Sequence, residues 1–231
     1  RQPVELLRFV KYPFGRQRMF AYRGQGRYRS SPRQKGTMPA SYLLPSDHFL
    51  DPERHARCDV LLALTHLNPG GTLEVLILIA RELRALGLRI AIVALYRGRD
   101  ADLRDLDCDI LVDRESLDVG GYAKAFVKLA KRIRVTRPAA ILSFMPAANV
   151  MGAIAAAFAG VRCRVASHHQ TRSAQHVVVR AIDRVLGSVG VYSHMIAVSQ
   201  SVRDSFLSYP HAYVDRVRVI PNAIRPISSR V

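Results

Sequence analysis

The chain has 231 residues, 49% of them apolar, which is enough to build a substantial core in one large domain and excludes disorder throughout. Its formal charge of +17, from 35 Lys and Arg against 18 Asp and Glu, favours anionic partners: phosphorylated substrates, nucleic acid or an acidic membrane face. Three isolated cysteines, Cys58, Cys108 and Cys163, suit neither a disulfide framework nor a zinc site, and they predict reduced, buried thiols in a cytoplasmic protein.

Residues 1–56 read as a basic extension without regular period. Between Arg1 and Gly36 ten Lys or Arg face the single Glu5, with aromatics such as Phe9, Tyr12 and Tyr22 threaded among them. This composition suits a loosely docked arm, or one that meets lipid headgroups or stacked bases. No signal peptide is expected, because Arg1, Arg8 and Lys11 flank only a short apolar patch with no small-residue cleavage pattern.

From Asp59 onward, apolar runs of strand length alternate with segments of helical period, the signature of a parallel α/β sheet with both faces covered. The pattern predicts strands at Asp59–Thr65, Arg89–Leu95, Ile110–Asp113, Ala139–Phe144, Arg162–Ser167, Met195–Ser199 and Val217–Ile220. Five helices fill the intervals. Thr72 to Leu86 sets Val75, Ile79, Leu83 and Leu86 on one stripe and stops at Gly87. Tyr122 to Val135 buries Phe126, Leu129 and Ile133 while Lys124, Lys128, Lys131 and Arg132 point away. The uncharged run Ala139 to Val161 raises the question of a membrane span, but Pro146, Asn149 and Gly152 break it into a strand, a turn and an Ala-rich buried helix near Met151–Ala159. A fourth helix, about Ala174 to Leu186, is expected to carry Val178, Ile182 and Val185 inward, and a fifth follows Ser199 with Val202 and Phe206 as anchors.

In such sheets ligands bind beyond the carboxyl ends of the strands, and four ends carry polar residues. After the first strand, Asn68-Pro69-Gly70-Gly71 opens a helix whose first N–H groups can meet an anion, although it is neither a dinucleotide fingerprint nor a P-loop. After the fourth come Ser143 to Asn149. After the fifth, Ser167-His168-His169-Gln170-Thr171-Arg172 is the richest cluster, in which at most one of two adjacent histidines can face a cleft. After the sixth, Ser199 to Ser201 reads first as a helix cap, with Ser199 kept as a substrate contact. No metal site is expected, and no Ser-His-Asp order or carboxylate pair argues for hydrolysis.

Taken together these segments resemble the N-terminal, acceptor-side domain of family 4 glycosyltransferases, retaining enzymes of the GT-B fold with two Rossmann-like lobes. The likeness rests on four pieces in order: Asn68 to Gly71 with the helix and strand that follow; Pro138 to Val161; Val165-Ala166-Ser167-His168-His169; and Ile196 to Asp204 with Val217-Arg218-Val219-Ile220-Pro221-Asn222. Five positions depart from the family pattern. Leu73 stands where the family often has Glu, Leu142, Phe144 and Ala147 replace its acceptor-side histidines, and Ala223 replaces a linker glycine. The resemblance implies a Rossmann-like domain over 57–224, the start of an interdomain linker at 225–231, and a donor-binding second lobe that would follow.

It also implies a nucleotide-sugar donor, a glycan or lipid-linked acceptor, and no cofactor or metal. Gly70 and Gly71 would stabilise the diphosphate, with Asn68 beside them. His169, or else His168, would line the acceptor side, while Asn149 and Arg172 would contact acceptor or phosphate. An anionic membrane surface is a further expected partner, with the protein cytoplasmic or peripheral to that surface; nucleic acid is not. The competing reading is a noncatalytic Rossmann-like module that binds a phosphorylated ligand or a protein.

Overall fold

A computed structural model describes residues 57–99 and 106–222; the basic extension at 1–56 and the linker residues at 225–231 lie outside the described residues. Seven parallel strands form one sheet in the order β3-β2-β1-β4-β5-β6-β7. They are β1 Val60–His66, β2 Ile90–Tyr96, β3 Asp109–Val112, β4 Ala140–Phe144, β5 Cys163–His168, β6 His194–Ala197 and β7 Val217–Val219. Because β1 pairs with β2 (Val60 opposite Ile90) and with β4 (Val60 opposite Ala140), it lies inside the sheet with both edges paired, and Val60 to Thr65 are all buried. The unbroken apolar run is thus explained by burial on both faces.

The helices are α1 Gly71–Ala85, α2 Val119–Thr136, α3 Pro146–Phe158, α4 Val177–Ser188, α5 Gln200–Asp204 and α6 His211–Val214, with one 3-10 turn at Arg172–Ala174. Alternation along the strands sorts the core into two faces. Leu62, Leu64, Phe144 and Val165 pack with Leu76, Ala80 and Leu83 of α1. Leu61, Ala63, Val93 and Ile141 pack with Ala125, Leu129 and Ile133 of α2 and with Ala148, Ala155 and Ala156 of α3. Small residues let α3 approach closely, since a Cβ at Gly152 would run into the Ser143 hydroxyl.

Two helices begin earlier than the apolar period predicts. Asp118 caps α2, its Oδ1 accepting from Gly121 N–H at 2.6 Å, so that helix starts at Val119. Pro146 takes the first position of α3, where the missing N–H is harmless, so that helix starts well before Met151.

The orientation of α4 overturns an expectation. Val178, Ile182 and Val185 are 56%, 39% and 58% exposed, and the buried positions are Asp183 and Gly187. Polar chemistry turned the helix. Tyr192 and Tyr213 are 1% and 0% exposed and both donate their hydroxyls to the Asp183 carboxylate, at 2.8 Å and 2.6 Å. Two buried phenols need acceptors more than three branched apolar side chains need cover. The Tyr213 ring also lies where any side chain at Gly187 would sit.

The cysteines are free, with Cys58 and Cys163 buried and Cys108 half-buried, and burial raises all three thiols.

Candidate active site

The order of strands reverses between β1 and β4, and the crevice at that switch point is where this architecture places ligands. A cleft of about 340 Å³ opens there, lined by Thr65, His66 and Thr72 from the β1 side, Tyr96 and Tyr122 from the flank, Met145 to Ala147 after β4, and His169, Gln170 and His176 after β5. Thr65 ties the two halves together, its Oγ1 accepting from Ala148 N–H at 3.1 Å. Met145 holds φ 71, a left-handed value rare for a bulky residue, at the cleft floor. A second groove, between α1 and the β4–β7 half of the sheet, is lined mainly by apolar side chains such as Val75, Ile79, Phe144 and Ile196, and it offers little to chemistry.

The predicted site residues divide sharply. Gly70 and Gly71 are exposed, no side chain caps α1, and nothing lies within 4 Å of where a Cβ would be at either glycine. The first N–H groups of a fifteen-residue helix therefore face open space beside the cleft. Asn68 sits behind this turn rather than in front of it. Its Oδ1 accepts from Arg99 N–H at 2.9 Å and occupies the space that a side chain at Gly98 would need, so it clamps the β1 turn to the end of β2.

The two histidines part as strand alternation requires. His169 lines the cleft, its Nε2 3.0 Å from the Ser167 hydroxyl and its ring against Phe144. Burial, helped by neighbouring His168, pushes its pKa down to about 4, so the imidazole is neutral near pH 7. His168, the alternative to His169, turns away from the cleft. It is 2% exposed, packs on Phe206, and its Nε2 lies 3.3 Å from the Tyr213 hydroxyl. That hydroxyl spends its proton on Asp183, so His168 Nε2 carries the hydrogen between them. The Asp183–Tyr213–His168 chain anchors the end of β5 directly behind His169.

Three further predicted residues make hydrogen bonds within the protein. Asn149 is 0% exposed, and its Nδ2 donates to Ser167 O at 3.2 Å, joining α3 to β5. Arg172 donates from Nη1 to the Ser208 hydroxyl at 2.5 Å and lies over the Tyr209 ring, which turns it toward the α5–α6 segment. Ser199 caps α5, its Oγ accepting from Val202 N–H at 3.2 Å.

Sequence reasoning passed over Tyr96 and Tyr122, although Tyr96 ends β2 and obeys the carboxyl-end rule that found the others. Their rings meet edge to face at 6.4 Å, and burial with the Tyr122 contact pushes Tyr96 up to about 12. His66 stacks on Tyr96 at 5.5 Å. Its Nδ1 accepts from Asn68 N–H, which leaves Nε2 as the donor available to the cleft, and burial lowers its pKa. No cluster of three His, Cys, Asp or Glu suited to a metal ion occurs among the described residues.

These histidines make stability depend on pH in one direction. An unfolded imidazole titrates near 6.5, whereas His66, His168 and His169 in the folded chain resist protonation and His169 does so down to about 4. Between those values the unfolded chain binds more protons, so stability is fully present above about pH 7 and is lost as pH falls from 6.5 toward 4. Melting temperatures across this range should fall with acid, by an amount equivalent to roughly 2 kcal/mol or more, and should be level from about pH 7 to about 8, below the range in which unfolded thiols ionise.

Comparison with known proteins follows the same geometry. A search of curated proteins returned no sequence match. HepE of Anabaena, solved in complex with UDP, superposes with a TM-score of 0.56 at 20% identity, over 72% of this chain and 44% of its own. The lipopolysaccharide outer core galactosyltransferase WaaB gives 0.56 at 10% identity, over 71% and 46%. The UDP-N-acetylglucosamine 2-epimerase of Rickettsia bellii gives 0.51 at 11%, over 72% and 45%. At these identities the likeness is one of fold, and the chain spans less than half the length of each protein. The sequence is more specific, because residues 69–226 match the model of Glycosyltransferase Family 4. With two thirds of its length inside that match and a seven-stranded Rossmann-like sheet carrying it, the chain belongs to glycosyltransferase family 4 as the N-terminal domain of a GT-B fold.

Proposed function

We propose that this chain is the acceptor-side lobe of a retaining, nucleotide-sugar-dependent glycosyltransferase that transfers a sugar to a glycan or lipid-linked acceptor. The observation that carries the reading is the juxtaposition, at one switch point, of an uncapped α1 N-terminus and a neutral cleft histidine. Donor diphosphate is stabilised by the N–H groups at Gly70 and Gly71 as negative charge grows on the leaving group, so no metal ion is needed for that task. HepE has been solved with UDP and with UDP-glucose, which supports a uridine-type nucleotide sugar as donor. A conjugate acid with a pKa near 4 makes His169 too weak a base to take a proton efficiently at neutral pH. It acts by orienting an acceptor hydroxyl through hydrogen bonding, and the family's second lobe completes the donor site and excludes water.

The test uses the longest native polypeptide that contains this chain. Incubated with a panel of nucleotide sugars and oligosaccharide or lipid-linked acceptors, it should release nucleoside diphosphate in the presence of EDTA. The product linkage should keep the anomeric configuration of the donor when read by NMR. Absence of release with every donor, or an inverted linkage, contradicts the reading.

A further inference from the structure

Helices that cover a sheet ordinarily turn apolar side chains inward and charge outward. The layer formed by α2, α3 and α4 does otherwise. Eleven large apolar side chains are exposed among the described residues, and nine of them lie on these three helices or at the C-cap of α4. Val178, Ile182, Val185 and Val189, exposed at 56%, 39%, 58% and 69%, recur at helical spacing and form one stripe along α4. Phe158 at the end of α3 is 78% exposed and Val127 on α2 is 66% exposed. Since α2 packs on α3 and α3 on α4, these side chains share one outer surface. Apolar exposure gathered on one side, rather than scattered, marks a contact.

Within the three helices the exposed charge has one sign, and the acid at the α2 cap, Asp118, is engaged by Gly121 N–H. Lys124, Lys131 and Arg134 stand exposed on α2 and Arg184 on α4, while α3 contains no charged residue. The one acid within the three helices is Asp183, which is buried beneath Tyr192 and Tyr213. A second copy of the chain would set cations against cations. An anionic lipid surface instead offers phosphates to the lysines and an acyl boundary to the valines. No helix among the described residues is long and apolar enough to cross a membrane, so such a contact lies along the surface.

We propose that the α2–α4 layer docks on an anionic phospholipid surface, with the α4 stripe at the acyl boundary and the α2 cations among the headgroups. His176 and Val179, at the start of α4, line the cleft, so docking holds the cleft mouth beside the bilayer. The proposal stands apart from the transferase reading, because vesicle binding and sugar transfer are measured separately and either can fail alone.

Co-sedimentation of the full chain with vesicles containing phosphatidylglycerol, and with pure phosphatidylcholine vesicles, tests it. Binding is expected for the anionic vesicles only and should weaken with salt. The double variant V178E/V185E should bind at least about tenfold more weakly, with an unchanged melting temperature because both positions are solvent-facing. An environment-sensitive fluorophore on Ile182→Cys should shift to the blue with anionic vesicles. The basic stretch 1–36 is present in every protein tested, so undiminished binding by the double variant assigns the contact to that stretch and overturns the proposal. Equal affinity for phosphatidylcholine, no vesicle binding, or a dimer that V178E/V185E abolishes would each overturn it too.

Discussion

Replacing Asp183 with Ala is expected to lower the unfolding free energy by roughly 3–5 kcal/mol, measured by urea denaturation. The carboxylate is fully buried and accepts from two phenols at 2.8 Å and 2.6 Å. Truncation removes two charge-assisted hydrogen bonds and strands both hydroxyls where water cannot reach them. Burial, the largest cause of the raised phenol pKa values of Tyr192 and Tyr213, persists without the carboxylate, so neither group can escape by ionising. Tyr213→Phe should cost less, because Asp183 stays bonded to Tyr192, although the change also strands the His168 Nε2–H that the Tyr213 hydroxyl accepts. The two substitutions should be non-additive, since they share a bond. A loss below about 1 kcal/mol for Asp183→Ala would mean that the network contributes nothing net.

The second large effect concerns the cleft. In the longest native polypeptide, His169→Ala should reduce kcat/KM by about a hundredfold while leaving the donor KM nearly unchanged, because an unoriented acceptor hydroxyl rarely meets the reacting carbon in line. The activity of the parent should show no inflection from His169 between about pH 5 and 8, since its pKa lies near 4. An inflection near 6.5 that vanishes in the variant would instead make His169 a general base. His168→Ala makes the contrast: its side chain never reaches the cleft, so its cost should appear in the melting temperature, with activity following only as the end of β5 loosens.

Much of this was legible from residue order. The strands read correctly because β1, β2 and β4 are apolar on both faces, a property that needs no knowledge of their neighbours. Legibility stopped where a side chain's role depends on a distant partner. The valine spacing of α4 announces an amphipathic helix but says nothing about which face turns inward, and that choice is made by Tyr213, thirty residues downstream of Asp183. Asn149 reads from sequence as a lone amide in an Ala-rich run, and only the fold shows that its Nδ2 donates to Ser167 O. Asn68 looks like part of an anion site until the tight turn at Gly98 shows what its carbonyl is for. The histidine pair lies between these cases: alternation shows that the two rings diverge, and only the aromatic pocket of Phe206 and Tyr213 shows which one turns in.

The placement of β1 also bears on how the chain is made. Its partner on one side, β2, follows closely in sequence, but the partner on its other edge begins at Ala140, about 80 residues after Val60. At ribosomal rates of about 5–20 residues per second, this buried strand waits roughly 4–16 s with one edge bare before β4 is synthesised. Such an edge is a template for pairing with other chains. During that interval the nascent half-sheet is the species most prone to aggregate, and a holdase chaperone that covers the free side of β1 should raise the yield of folded protein in cell-free synthesis.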